Sequence, residues 1–192
     1  MQNNTYVIYY REGGGLKSII NNKGEIMKRN IVVLVAICIV MALGAYVYAQ
    51  ELFGAKGAQQ TSDPTLEQML TYAIQDEYLA RAEYNVIINE YGPVRPFSNI
   101  IHAEEQHIKM LVPLFTQYGF SVPEDNAEQH IVVPKDLKEA LETCVQGEID
   151  NIGMYEAFLN TSLPEDVRDV FERLQNASGN HLRAFRNALS RY

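Results

Sequence analysis

The residues in this chain best placed to do chemistry are Glu104 and His107, because both interrupt an apolar stripe. Phe97, Ile100, Glu104, His107, Leu111, Leu114 and Tyr118 recur at steps of three and four, the spacing of the buried face of a bundle helix. A carboxylate and an imidazole thus stand where the pattern calls for leucine. An ionised carboxylate buried without a partner is costly, so metal ions or protons are expected to meet it. Similar interruptions recur elsewhere: Glu77 in a stripe from Leu66 to Tyr91, Glu148 in one from Leu137 to Phe158, and His181 in one from Val167 to Leu189.

The two halves of the chain repeat. A shift of 71 residues superposes Leu66, Leu70, Ala73, Glu77 and Tyr84 on Leu137, Leu141, Cys144, Glu148 and Tyr155. A shift of 74 superposes Phe97, Ile100, Glu104, His107 and Leu111 on Phe171, Leu174, Ser178, His181 and Phe185. Each half offers a glutamate from its first helix and a histidine from its second. Carboxylate-bridged di-iron and di-manganese bundles use a Glu from each of two helices and Glu-x-x-His from the other two. The spacing of three puts both ligands on one helix face. Mixed carboxylate and imidazole suits iron or manganese, with zinc compatible, rather than a thiolate-seeking metal. The predicted ligands are Glu77, Glu104, His107, Glu148 and His181. The repeat lacks one carboxylate, because Ser178 stands where Glu104 has its counterpart. Glu104 is then the candidate bridge, and one or two ions per chain fit the set. Tyr84, Asn151, Tyr155 and Ser178 are the candidates for hydrogen bonds to ligands or water.

Four helices must position these groups. The first is expected from the Asp63-Pro64 cap to Gly92-Pro93, and the second from Pro96 to Gly119 with a bend at Pro113. The third runs from Pro134 to about Asn160, and the fourth from a Ser162–Glu165 capping box. Helices of about 23 to 28 residues are roughly 35–42 Å long. The connection between the second and third, about 15 residues, reaches roughly 50 Å when extended, so it can run the length of a four-helix bundle. The fold class is therefore all-α, with 63–192 as the bundle and 50–62, rich in Gly, Ala and Gln, as a flexible linker.

Net charge is −8, with no Trp and twelve Tyr, a balance that argues against nucleic acid as a partner. Met27-Lys28-Arg29-Asn30 precedes an apolar run to Tyr48 and Ala49. This reads as an exported chain whose residues 27–49 are either a signal peptide cleaved after Ala49 or a membrane anchor helix. Beyond residue 49 there remain 11 Lys and Arg against 22 Asp and Glu, a net of −11. Residues 1–26 read as an upstream extension of the gene, because Lys23-Gly24-Glu25 can be encoded with the ribosome-binding sequence AAGGAG ahead of Met27. Cys144 is the one cysteine after residue 49, so no intramolecular disulfide stabilises the exported part.

Glu77-Tyr78-Leu79-Ala80-Arg81-Ala82-Glu83-Tyr84 and Glu104-x-x-His107 resemble the ligand helices of rubrerythrins. Ala73-Ile74-Gln75-Asp76-Glu77-Tyr78, Pro96-Phe97-Ser98-Asn99-Ile100 leading to Ala103-Glu104-Glu105-Gln106-His107, and Asn180-His181-Leu182-Arg183-Ala184-Phe185 are more closely similar to the family of the domain of unknown function 2202. The resemblance, over about Pro64 to Tyr192, implies a ferritin-like four-helix bundle with a long connection between its second and third helices. It implies redox chemistry on oxygen or peroxide less directly. The chain has no Cys-x-x-Cys pair, so reductive peroxidase activity requires an external electron donor. The alternative is a non-catalytic structural or metal-binding bundle of the cell envelope, touching membrane only through its N-terminal segment; a homodimer fits either. Asp76, Glu83, Glu105, Asp150 and Glu156 are assigned to solvated faces, His102 and His130 to the surface, and Cys144 to the core.

Overall fold

The computed structural model describes residues 5–22, 30–36 and 53–192 and divides the chain into two units, 1–49 and 50–192. In the first unit, β1 (Thr5–Glu12) pairs antiparallel with β2 (Gly15–Asn22). This hairpin departs from the all-α expectation and lies within residues 1–26, the segment that reads as an upstream extension. Its basis is local: Thr, Tyr, Val and Ile favour extended backbone. Gly13 and Gly14, both at positive φ, supply the two-residue turn whose twist matches the strands. Residues 30–36 form a helix, α1. The rest of the proposed signal or anchor, including Ala49, lies outside the described residues. Among the described residues no helix is long and apolar enough to cross a membrane.

The second unit is a helical bundle. It comprises α2 (Gly54–Gln60), α3 (Leu66–Tyr91), α4 (Phe97–Tyr118), a 3-10 turn at Ala127–His130, α5 (Leu137–Leu159) and α6 (Glu165–Leu189). Three boundaries differ from those expected. Helix α3 starts at a Thr65–Gln68 capping box rather than at Asp63; Asp63 sits at φ 48°, outside the extended geometry of an N-cap. Helix α6 follows Pro164 with no side-chain cap. Instead of a Ser162 box, Arg168 ties the turn by donating to the carbonyls of Leu159 and Thr161.

The third difference is the proposed linker, because 54–60 is helical and docked. Phe53, Ala55 and Ala58 are buried in the core. The backbone N–H of Gly54 donates to Gln75 and that of Ala55 to Asp76 Oδ1 (2.8 Å). Gly and Ala read as a tether when taken alone, but here their small side chains let α2 lie close against α3. Gly54 takes φ +56°, and an added Cβ there would stand 2.6 Å from Asp76 Oδ1.

Side-chain contacts fix the helix directions. Glu77 meets His107 while Tyr84 meets Phe97, so α3 and α4 are antiparallel. Tyr84 meets Glu148 while Glu77 meets Tyr155, so α3 and α5 are antiparallel too. Tyr118 bonds Asp166 while Phe97 packs on Phe185, which sets α4 against α6 in the same sense. Helices α4 and α5 thus point the same way, and the connection between them must travel the bundle's length. It does so along α3: Asp125 pairs with Arg81, and the Pro134 carbonyl accepts from Tyr91 (2.5 Å).

Two apolar clusters fill the interior. One holds Leu70, Leu111, Phe158 and Phe171; the other holds Ile87, Phe97, Leu141 and Phe185. Between them lies a buried polar layer: Glu77, Glu104, His107, Glu148, Asn151, Ser178 and His181.

Candidate metal centre

Each long helix contributes to this layer from the middle of its stripe. Flanking aliphatic and aromatic side chains bury above and below it and hold the polar groups facing one another. Helix α4 supplies Glu104 and His107 one turn apart, and α4 continues unbroken through Pro113. Helix α3 supplies Glu77, α5 supplies Glu148 and Asn151, and α6 supplies Ser178 and His181.

These residues form two triads that share Glu104: Glu77, Glu104 and His107, and Glu104, Glu148 and His181, with the donor atoms of each triad within 4.8 Å of one another. His107 Nδ1 lies 2.9 Å from Glu77 Oε2 and 2.8 Å from Glu104 Oε2. His181 Nδ1 lies 3.2 Å from Glu104 Oε1 and 3.4 Å from Glu148 Oε1. One oxygen of Glu104 thus faces each histidine, the disposition a bridging carboxylate requires. Among the described residues, Glu104 Oε1 is the one buried side-chain oxygen or nitrogen with no aligned hydrogen bond, although His181 Nδ1 lies 3.2 Å away. A buried acceptor so poorly paired is costly, and a cation at the shared position would pair it.

The tyrosines cross between the halves. Tyr155 donates to Glu77 Oε1 and Tyr84 to Glu148 Oε1, each over 2.9 Å. Each orients the other half's glutamate: Tyr155 leaves Glu77 Oε2 for His107, whereas Tyr84 shares Glu148 Oε1 with His181. Burial, and then the adjacent Glu148 or Glu77, push both phenols well above their ordinary range, so they stay protonated donors. Where the fourth carboxylate would stand, Ser178 donates to Asn151 Oδ1 (2.6 Å). Asn151 in turn donates to Asp76 Oδ2 (2.6 Å).

With three carboxylates and two imidazoles at close quarters, protons balance the charge of the metal-free chain. Burial works against the charged form of His107, but hydrogen bonds to Glu104 and Glu77 outweigh it and raise its pKa to about 10. His181 rises to about 9 in the same way, against burial and through Glu104 and Glu148. Glu77 is pushed up, chiefly by burial. Burial works to raise Glu104, but hydrogen bonds from His107 and Glu77 and the nearby His181 imidazole hold it below its usual range. The centre can thus hold protons or take divalent cations in their place.

Three residues assigned to solvated faces, Asp76, Glu83 and Asp150, are half-buried. Asp76 is half-buried under α2, and Glu83 is half-buried beside Cys144. Burial raises the first to about 6 and the second to about 7. Nothing in the helical period marks them, because α2 and the α4–α5 connection cover what would otherwise be an open helix face. Glu105, Glu156 and His102 are exposed. His130 is half-buried and stacks on Phe53 (4.1 Å). Cys144 is buried, and burial, with Glu83 next, raises its thiol well above the ordinary value, which leaves it unreactive.

The model of the family described as "Uncharacterized protein domain (DUF2202)" matches residues 67–191. An uncharacterised protein of Methanocaldococcus jannaschii, MJ0754, is 26% identical over 133 residues, covering 62% of this chain and 71% of the relative. The crystal structure of hypothetical protein MJ0754 superposes with a TM-score of 0.61 at 25% identity, covering 69% of this chain and 87% of that one.

Proposed function

Because the chain belongs to the DUF2202 family, whose description assigns no activity, we propose from its buried centre that it is a ferritin-like metal-binding protein. In this reading, the four long helices are a ferritin-like four-helix bundle, and the two triads take iron or manganese. Glu77 and His107 hold one position, Glu148 and His181 the other, and Glu104 bridges them. The observation that carries it is the shared Glu104, whose Oε2 faces His107 Nδ1 and whose Oε1, without an aligned hydrogen bond, faces His181 Nδ1. The donor set fits: oxygen and imidazole nitrogen, with no thiolate among them. A bound redox metal would supply one-electron chemistry and Lewis acidity toward oxygen or peroxide. The chain's own part is to orient the ligands through Tyr84 and Tyr155 and to exclude bulk water with the two apolar clusters. No on-chain thiolate relay exists, so reduction would draw on an external donor. The basic and apolar pattern at 27–49 supports placing the bundle outside the cytoplasmic membrane, either released or anchored, and the reading accommodates a homodimer.

The test is metal analysis of the full chain purified from a metal-replete host, followed by titration of the metal-free protein with Fe(II) and Mn(II). One to two equivalents are expected; less than about a tenth of an equivalent with no uptake overturns the reading. A second, non-catalytic reading is favoured by the Ser178–Asn151–Asp76 chain, which fills the fourth carboxylate position with neutral hydrogen bonds. Fe(II)-dependent consumption of oxygen or peroxide that is lost in Glu104→Ala decides against it.

A further inference from the structure

We propose that the cavity between α2, α3, α5 and the α4–α5 connection binds a small organic cation and serves as the substrate pocket of the buried centre; the second half rests on the metal-binding reading. The cavity measures about 440 Å³, within the roughly 300–1,000 Å³ of small-molecule sites. Its lining combines the apolar Phe53, Ile131, Val132 and Val133 with Asp76, Glu83, Glu139 and Asp150 and the single ammonium of Lys56. Among the described residues neither Asp76 nor Glu83 makes an ion pair; Asp76 accepts from Ala55 and Asn151, and Glu83 interacts with the thiol of Cys144. Lys56 acts on Glu83 and Lys135 Nζ lies 3.9 Å from Glu139 Oε1, so the four acids outnumber their two cations, and that excess beside a hydrocarbon lining complements an ammonium or guanidinium on an apolar body.

A bare divalent ion fits the cavity less well. It makes no use of the apolar lining, and among the described residues the acidic and histidine groups close enough to hold an ion are the two triads of the centre. Val132, 84% exposed, and Val133, 58% exposed, are apolar residues at the mouth that an occupant would cover. The position also suits a substrate. Asp76 precedes Glu77 and Gly147 precedes Glu148, while two hydrogen bonds lead from Asp76 through Asn151 to Ser178. Gly147 lines the cavity, and no heavy atom lies within 4 Å of where its Cβ would stand. A larger side chain at this lining position would meet no existing atom of the fold and would narrow the space beside it.

Titration calorimetry of the full chain tests this with three probes: phenethylammonium chloride, its neutral isostere phenethyl alcohol, and MnCl2. Phenethylammonium is expected to saturate one site, with the alcohol about ten-fold weaker or more and Glu83→Gln weakening the amine by about ten-fold. Gly147→Leu is expected to abolish amine binding while keeping a cooperative thermal transition, since it replaces a poor helix former with a good one. No saturation by the amine, equal binding of the alcohol, or unchanged binding in Gly147→Leu overturns the proposal. Mn(II) uptake separates the two readings. An amine site blocked by Gly147→Leu in a chain that takes no metal keeps the cation site and removes its substrate role. Metal uptake without amine binding overturns this inference alone.

Discussion

Metal binding by this centre must release protons, and the number follows from the geometry. His107 and His181 each point Nδ1 at two carboxylates, and it is this atom that would ligate an ion. With pKa values of about 10 and 9, both rings are protonated at pH 7 and must lose that proton. Their side chains are 8% and 11% exposed, so solvent screens the interaction little. At about 1.4 kcal/mol per unit, pH 7 withholds on the order of 4 and 3 kcal/mol from the two sites. The raised Glu77 carboxyl adds to the cost of the first. Log affinity for two ions should therefore rise with a slope of two to three per pH unit between about pH 6 and 8, halved if the sites fill separately. Calorimetry of Mn(II) binding, repeated in buffers of different ionisation enthalpy, reads the proton count directly. Affinity independent of pH, with no protons released, would refute the assignment of these histidines as ligands. The same protons govern the metal-free fold. A histidine whose folded pKa is raised contributes stability that is fully present below about 6.5 and is lost as pH climbs through 9 to 10. Glu77, also raised, works in the same direction from about 4.5 upward. The melting temperature in chelator should fall from neutral to alkaline pH, and bound metal should abolish that fall.

Tyr155→Phe should weaken metal at the Glu77 triad and Tyr84→Phe at the Glu148 triad, each by about 10- to 100-fold, because the donors cross between halves. Binding isotherms in which both variants weaken the same site would refute the crossing. Gly54→Ala should destabilise the fold by about 1–2 kcal/mol, through strain at positive φ and displacement of Asp76, while leaving metal stoichiometry unchanged; urea unfolding and metal analysis check both. Asp76→Asn should weaken the second ion more than the first, and comparison with Gly54→Ala separates its charge from its hold on α2.

The site was more legible than its surroundings. Glu77, Glu104, His107, Glu148 and His181 announce themselves because each breaks an apolar period, and the repeat then says that they face one another. That logic depends only on helical geometry, which a single sequence encodes. Helix α2 is different. Its Gly-Ala-Lys-Gly-Ala composition has no period of its own, and it is helical because Phe53, Ala55 and Ala58 find a groove and Gln75 and Asp76 accept its first N–H groups. Those partners lie about twenty residues away. Asp76 and Glu83 were assigned to solvent for the same reason, since what covers them is α2 and the α4–α5 connection. The hairpin rests on its extended-favouring residues and paired glycines, a local signal that carries no information on where the gene's coding region starts.

The broken repeat has a physical answer in the arrangement around Ser178. Three carboxylates around two divalent ions would leave a net positive charge inside an apolar bundle, which is costly. A fourth carboxylate at Ser178 would balance it, but would place another acid beside Glu104 in the metal-free chain. The observed hydrogen bonds avoid both problems. Ser178 and Asn151 fill the space without charge, and Asn151 leads to Asp76, where burial, offset by bonds from Ala55 and Asn151, leaves a pKa of about 6. Once ionised, Asp76 would supply a fourth negative charge from two hydrogen bonds away, at the half-buried edge of the cavity. In the metal-binding reading, the asymmetry then places that carboxylate outside the ligand layer rather than at Ser178.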